Sequence, residues 1–139
     1  MLENNNNNNN LSKLQIRSFI LSVIESLKFQ NNLNYPNIND IIYEIKSLNN
    51  DIAVCEILIK ELFTTKNQSN IAIISTLLIN TISKDVLEKK LFDILKNHKI
   101  NDDKKSMAID LLASIGKTLN YDEYQAYFND PSKVINEDT

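Results

Sequence analysis

The chain of 139 residues contains a single glycine, Gly116. Average usage gives about ten glycines in a chain of this length, so structures that depend on glycine are scarce here. Glycine-rich phosphate loops need a backbone without Cβ atoms, and tight β-hairpins need residues that accept a positive φ. The composition therefore excludes glycine-rich phosphate loops, disfavours a fold built on tight β-hairpins and points to an all-α fold.

From residue 11 onward, apolar residues recur at intervals of three and four, which is the spacing of amphipathic helices. This pattern predicts seven helices, over residues 11–29, 37–48, 51–62, 69–82, 85–95, 102–116 and 121–128. We expect Asp51 to cap the third helix and Asp102 or Asp103 the sixth, which Gly116 ends. The β-branched run over residues 71–74 leaves a strand open as the alternative for the fourth.

The two ends of the chain differ in composition from its middle. Residues 4–10 are all asparagine, with no apolar side chain to bury, so we expect residues 1–10 to be disordered. Residues 11–128 are predicted to form one helical domain, followed by an acidic tail over residues 129–139. That tail leaves open that the sequence is an N-terminal regulatory fragment of a larger protein.

The chain also repeats itself. A single shift without a gap lays the third and fourth predicted helices on the fifth and sixth, so that Leu58 meets Leu91 and Leu78 meets Leu111. Helix pairs this short cannot bury their apolar faces alone, whereas stacked pairs share a continuous core. Because any two amphipathic hairpins match in part, coincidence is the alternative.

Residues 104–116, Lys-Lys-Ser-Met-Ala-Ile-Asp-Leu-Leu-Ala-Ser-Ile-Gly, resemble the second helix of a HEAT repeat. Lys105 takes the usual arginine position of that family and Ala108 its small packing position. The similarity covers residues 85–116. The chain departs from the family in three ways: its repeat is shorter, the proline that kinks the first HEAT helix is absent, and Lys105 replaces the arginine. It implies a short α-solenoid of about three antiparallel helix pairs plus a C-terminal helix, which binds proteins, and it supplies no catalytic residue to carry over.

In such a solenoid the second helix of each pair usually lines the binding face. With the core positions removed, the same shift aligns Tyr43, Thr76 and Ile109, and Ile73 and Asn80 lie on neighbouring rows. These five residues are the predicted protein-binding surface of a scaffold module, because exposed apolar side chains suit a peptide or helix partner. The alternative is that Ile73 and Ile109 pack against a neighbouring unit or a second copy.

No residue pattern indicates catalysis, a cofactor or a metal site. Cys55 lies on an apolar stripe and is predicted to be a buried packing thiol. His98 falls in a loop between lysines, and Asp102 and Asp103 are explained by helix capping. We therefore expect a protein that is not an enzyme and whose partner is a protein or peptide.

Charge and hydropathy weigh against two other classes of partner. Nucleic acid is the second candidate, through residues 84–117 with eight lysines, but Arg17 is the only arginine and arginine is the usual bidentate reader of phosphate and guanine. Polar side chains interrupt the longest uncharged stretch, residues 67–83, whereas a membrane span needs about 20 mostly apolar residues. With no signal peptide visible, we expect a cytoplasmic protein.

Overall fold

The computed structural model describes residues 12–27 and 37–128, apart from the side chain of Tyr124. The protein is all-α, as its sequence predicts, and the described residues form seven helices and no strand. In chain order the helices are α1 (Lys13–Leu27), α2 (Ile38–Ser47), α3 (Asp51–Thr64), α4 (Gln68–Thr81), α5 (Lys84–Lys96), α6 (Asp102–Ser114) and α7 (Tyr121–Tyr127). The asparagine tract and the predicted tail over residues 129–139 lie outside the described residues.

None of the helices in these two ranges has the length and apolar character that crossing a membrane requires. The chain divides into two compact units, Met1–Val86 and Leu87–Thr139. The first unit contains α1 to α4, and the second contains most of α5 together with α6 and α7.

The first unit consists of two helix pairs, α1/α2 and α3/α4. They pack like on like: the first helices contact each other, α1 against α3, and so do the second helices, α2 against α4. Two ion pairs show the relative direction of α1 and α3. Lys13 Nζ lies 2.9 Å from Glu56 Oε1, and Arg17 Nη2 lies 3.8 Å from Glu61 Oε2. Because the residue numbers of both helices increase together, α1 and α3 run parallel. In a simple up-down-up-down bundle, by contrast, neighbouring helices run antiparallel.

The core of the first unit is made of branched aliphatic side chains from all four helices. Each fully buried aliphatic side chain contributes about 1.5–3 kcal/mol through removal from water, so the core depends on many such residues together. Those that are almost completely buried are Ile16, Ile20, Leu27, Ile41, Ile45, Val54, Leu58, Leu62, Ile74, Leu77 and Leu78. The burial of Cys55 confirms its predicted place in the core.

Asparagine begins five of the seven helices that residues 12–27 and 37–128 form. In each case its side-chain oxygen accepts a hydrogen bond from a backbone N–H in the first turn, which satisfies a donor that has no partner within the helix. The capping residues are Asn37, Asn50, Asn67, Asn101 and Asn120.

The predicted caps of α3 and α6 are therefore wrong, because the asparagine before the aspartate takes this position in both helices. Asp51, Asp102 and Asp103 lie inside the first turn, where a negative charge favours the positive end of the helix dipole. Asp51 has a further role, because its Oδ2 accepts the backbone N–H of Ser83 at 2.9 Å. This bond joins the beginning of α3 to the segment after the end of α4 and closes that hairpin.

The end of α6 confirms the prediction for Gly116, which has a φ of 91°. Its N–H donates to the carbonyl of Ala113 at 3.0 Å, and the N–H of Lys117 donates to the carbonyl of Leu112 at 2.8 Å. This pair of bonds is the Schellman motif, whose left-handed residue carries no Cβ penalty when it is glycine.

The fourth helix settles the alternative left open by its β-branched run. Residues 71–74 are helical, since Asn67 caps the segment and Ile74, Leu77 and Leu78 are buried at helical spacing. Burial of a helical stripe thus overrides the weak preference of isoleucine for strands.

The helix boundaries follow the repeat found in the sequence. The shift that lays Leu58 on Leu91 also lays the first residue of α3, Asp51, on that of α5, Lys84, and the last residue of α4 on that of α6. Burial repeats in part, because three pairs of apolar positions in the first helices, α3 and α5, are buried in both copies. Those pairs are Val54 with Leu87, Leu58 with Leu91, and Leu62 with Leu95.

In the second unit, α7 is joined to the helices before it. The rings of Phe92 and Tyr127 meet with centroids 6.4 Å apart. Asn120 and Glu123 form a capping box at the start of α7, each side chain accepting the other's backbone N–H. Phe128, directly after α7, is buried.

Leu91→Ala tests the rotation of α5 about its axis. Leu91 has no exposed surface, so the substitution is expected to lower the free energy of unfolding by about 2–5 kcal/mol. Urea unfolding followed by circular dichroism measures this change. The neighbouring substitution Lys90→Ala is the control and should change the free energy by no more than about 0.5 kcal/mol; equal effects at both positions contradict the observed rotation.

Candidate protein-interaction surfaces

Four of the five predicted binding residues belong to the first unit. Ile73, Thr76 and Asn80 follow one another at helical spacing along α4, and Tyr43 lies on α2, the helix packed against it. Tyr43 is 74% exposed and Asn80 is exposed, whereas Ile73 and Thr76 are half-buried. We call these four residues the α2/α4 face.

The α2/α4 face is neutral where α4 contributes to it, because α4 contains no charged residue. Two of its polar groups bond to their own helix: Thr76 Oγ1 donates to the carbonyl of Ala72 at 2.9 Å, and Asn80 Nδ2 donates to the carbonyl of Thr76 at 2.7 Å. A partner covering this stripe therefore removes few unsatisfied polar groups from water, which keeps the desolvation cost low.

The fifth residue, Ile109, was expected to be exposed, and this expectation is wrong, since it is only 7% exposed. The repeat lays Met107 on Ile74 and Ile115 on Ile82, both of which are buried, yet Met107 and Ile115 are only half-buried. The buried stripe instead includes Lys105, Ala108 and Leu112. Ile109 falls on that stripe because α6 is rotated relative to the alignment, so the predicted row does not continue as exposed surface into α6.

The sequence did not predict the buried environment of Lys105. Lys105 has no exposed surface, and its Nζ donates a hydrogen bond of 2.6 Å to the backbone carbonyl of Tyr127, the last residue of α7. A cation at the C-terminal end of a helix is favoured by the helix dipole. The alignment with a HEAT arginine marked this position as special, but the sequence contained no signal for its contact with Tyr127.

The lysines expected to bind nucleic acid are partly engaged within the protein. Lys105 is buried, Lys89 Nζ lies 3.2 Å from Asp93 Oδ2, and Lys117 Nζ lies 3.6 Å from Glu88 Oε2. A buried lysine cannot reach a phosphate, and ion pairing reduces the charge that paired lysines present. These contacts weaken the electrostatic term on which binding to a nucleic-acid backbone depends.

A groove on the first unit has no counterpart in the sequence analysis. It lies along α1 and α3 and has a volume of about 440 Å³. We call it the α1/α3 groove; its lining residues are Lys13, Leu14, Arg17, Glu56, Ile57, Lys60 and Glu61. The sequence did not reveal it because it exists only through the parallel packing of two helices that are separated along the chain.

Apolar side chains remain exposed around this groove. Leu14 is 72% exposed at its edge, and Ile52, one helical turn before Glu56 on α3, is 65% exposed. Ile57, by contrast, is almost buried and forms part of the floor. The described residues contain no cluster of three or more histidine, cysteine, aspartate or glutamate side chains arranged to hold a metal ion.

Comparison of the chain with models of protein families, with curated proteins and with solved structures finds no match.

Lys105→Met tests whether the buried ammonium group holds α7 in place. Methionine keeps most of the side-chain volume but leaves the carbonyl of Tyr127 without its donor, which should lower the free energy of unfolding by about 1–3 kcal/mol. Hydrogen exchange should show faster exchange of the α7 amides than in the wild type. The control Lys96→Met, at an exposed lysine of α5, should leave α7 unchanged, and equal exchange in Lys105→Met and wild type would contradict the assigned role.

Proposed function

We propose that the protein is a non-catalytic interaction module whose α2/α4 face binds a neutral, apolar helical segment of a partner protein. The observation that carries this proposal is the charge-free α4, which presents half-buried Ile73 beside a helix with the highly exposed Tyr43. Charged residues are depleted at the centre of protein interfaces and aromatic residues are enriched there. Tyrosine is among the residue types enriched in binding hot spots, and α4, which packs against α2, carries no charge.

The repeat supports a HEAT-like stacking of helix pairs as the scaffold for this face. In the first unit α1 packs on α3 and α2 on α4, and the helix boundaries of the third and fourth helices recur in the fifth and sixth. An extended row of second helices is how such solenoids form binding surfaces.

The proposal sets the module in the cytoplasm. Its one cysteine, Cys55, is fully buried, so it acts as a small packing residue. A reducing compartment suits a protein whose stability depends on aliphatic packing and needs no disulfide framework.

A photo-crosslinking experiment tests the α2/α4 face in the full chain. A benzophenone amino acid replaces Tyr43, and the partner adduct is identified by mass spectrometry from cells that express the protein. Asn80→Lys in the same chain should reduce the adduct about tenfold, because the partner then covers an unpaired charge. Asn80 is exposed, so this substitution leaves the fold intact, which circular dichroism verifies.

The control carries the same crosslinker in place of Gln125, an exposed residue of α7. An adduct that appears equally at both positions, or that survives Asn80→Lys, contradicts the proposal. Binding of a labelled DNA or RNA duplex to the full chain at low salt, with affinity falling steeply as salt rises, would instead favour the nucleic-acid alternative.

A further inference from the structure

We propose that the α1/α3 groove is a second docking site, independent of the α2/α4 face, for an acidic amphipathic helix of a partner protein. The groove runs between two parallel helices of the first unit. A third helix laid into such a groove presents its apolar residues at intervals of three and four. The charges around the groove decide which helix fits.

The two ends of the groove differ in charge. At the beginning of α1, Lys13 Nζ and Glu56 Oε1 make a hydrogen-bonded ion pair of 2.9 Å, which neutralises that end. Leu14 and Ile57 supply an apolar middle. At the other end the lining residues are Arg17, Lys60 and Glu61, two cations and one carboxylate, which gives the groove as a whole an excess of one positive charge.

Arg17, the only arginine in the chain, is the group best placed to bind an incoming carboxylate. Its Nη2 lies 3.8 Å from Glu61 Oε2, which is beyond hydrogen-bond distance. Its side chain is about half exposed. A guanidinium presents five donors in a planar fork that matches a carboxylate in two parallel bonds, and the loose pair with Glu61 leaves that fork available.

The same charges select against phosphate. Glu56 and Glu61 remain on the groove wall, and their carboxylates repel a group with two negative charges or a run of phosphates more strongly than a single carboxylate. The excess of one cation therefore matches one acidic side chain. This distinguishes the groove from a nucleic-acid site, which needs many cations without interleaved acids.

The spacing along the groove specifies the ligand further. Leu14 and Arg17 lie about one helical turn apart on α1, and Ile57 and Lys60 have the same spacing on α3. Each pair therefore spans about 4.5 Å along its helix axis. A partner helix with a large apolar residue and an acidic residue one turn apart places the first over Leu14 and Ile57 and the second at Arg17 and Lys60.

A synthetic peptide tests this assignment against the full chain. The probe is a fluorescent, end-capped helical peptide with two leucines one turn apart and a glutamate one turn further, and binding is followed by anisotropy. Two matched peptides carry glutamine or lysine in place of the glutamate. The glutamate peptide should bind about tenfold more tightly than the glutamine peptide, as expected for loss of hydrogen bonds to a charged group, and the lysine peptide should not bind.

Variants of the protein locate the bound peptide. Leu14→Ser, Arg17→Lys and Lys60→Gln alter exposed or half-exposed side chains, and each should weaken binding of the glutamate peptide. Arg17→Lys is the most specific, since it keeps the charge and removes the fork. Lys66→Gln, which removes an exposed lysine elsewhere in the first unit, should leave the affinity unchanged.

Each of the following results overturns the proposal: no binding of the glutamate peptide, equal affinity for the glutamate and glutamine peptides, or equal losses of affinity in Lys60→Gln and Lys66→Gln. A loss on Tyr43→Ser comparable to that on Leu14→Ser assigns the peptide to the α2/α4 face and also overturns it. Because the groove and the α2/α4 face are tested by different residues, failure of one leaves the other standing.

Discussion

A pair of short amphipathic helices cannot bury its apolar face by itself, and the first unit is arranged around this constraint. Its two pairs solve it together, with α1 covering α3 and α2 covering α4. The parallel direction of α1 and α3 is visible in the pairing of Lys13 with Glu56 and of Arg17 with Glu61. These exposed pairs contribute little to stability; the buried aliphatic side chains supply most of it. Like-on-like packing then leaves the two surfaces that we propose as docking sites, the α2/α4 face and the α1/α3 groove.

Much of the fold was predictable because helical periodicity and capping are local properties. The existence and order of all seven helices, the end of α6 at Gly116 and the capping box at Asn120 follow from residues within one or two turns. The caps of α3 and α6 were misplaced because asparagine and aspartate stand side by side there, and both residue types favour this position. The rotation of α6 was misjudged because Lys105 counts as polar in a hydrophobic pattern although it is fully buried.

The candidate sites were less predictable, for a different physical reason. Exposure of Tyr43 and Asn80 follows from the apolar stripe of their own helix, so the sequence placed them well. The predicted exposure of Ile109 was wrong because α6 is rotated relative to the repeat alignment. The α1/α3 groove was not foreseen, because it combines residues far apart in the chain, such as Lys13 and Glu56, and no periodic pattern reports which helix packs against which. The contact of Lys105 with the carbonyl of Tyr127 is hidden for the same reason.

Zero-length carbodiimide cross-linking with mass spectrometry tests the parallel packing of α1 and α3 most directly. The reagent joins an amine to a carboxylate only when the two are in contact, as Lys13 and Glu56 are at 2.9 Å. The pair Lys89 and Asp93, one turn apart on α5, is the internal control for reactivity. The packing described here predicts an amide bond between Lys13 and Glu56. A bond from Lys13 to Glu44 of α2, or no product at Lys13 while Lys89 and Asp93 are joined, would contradict it.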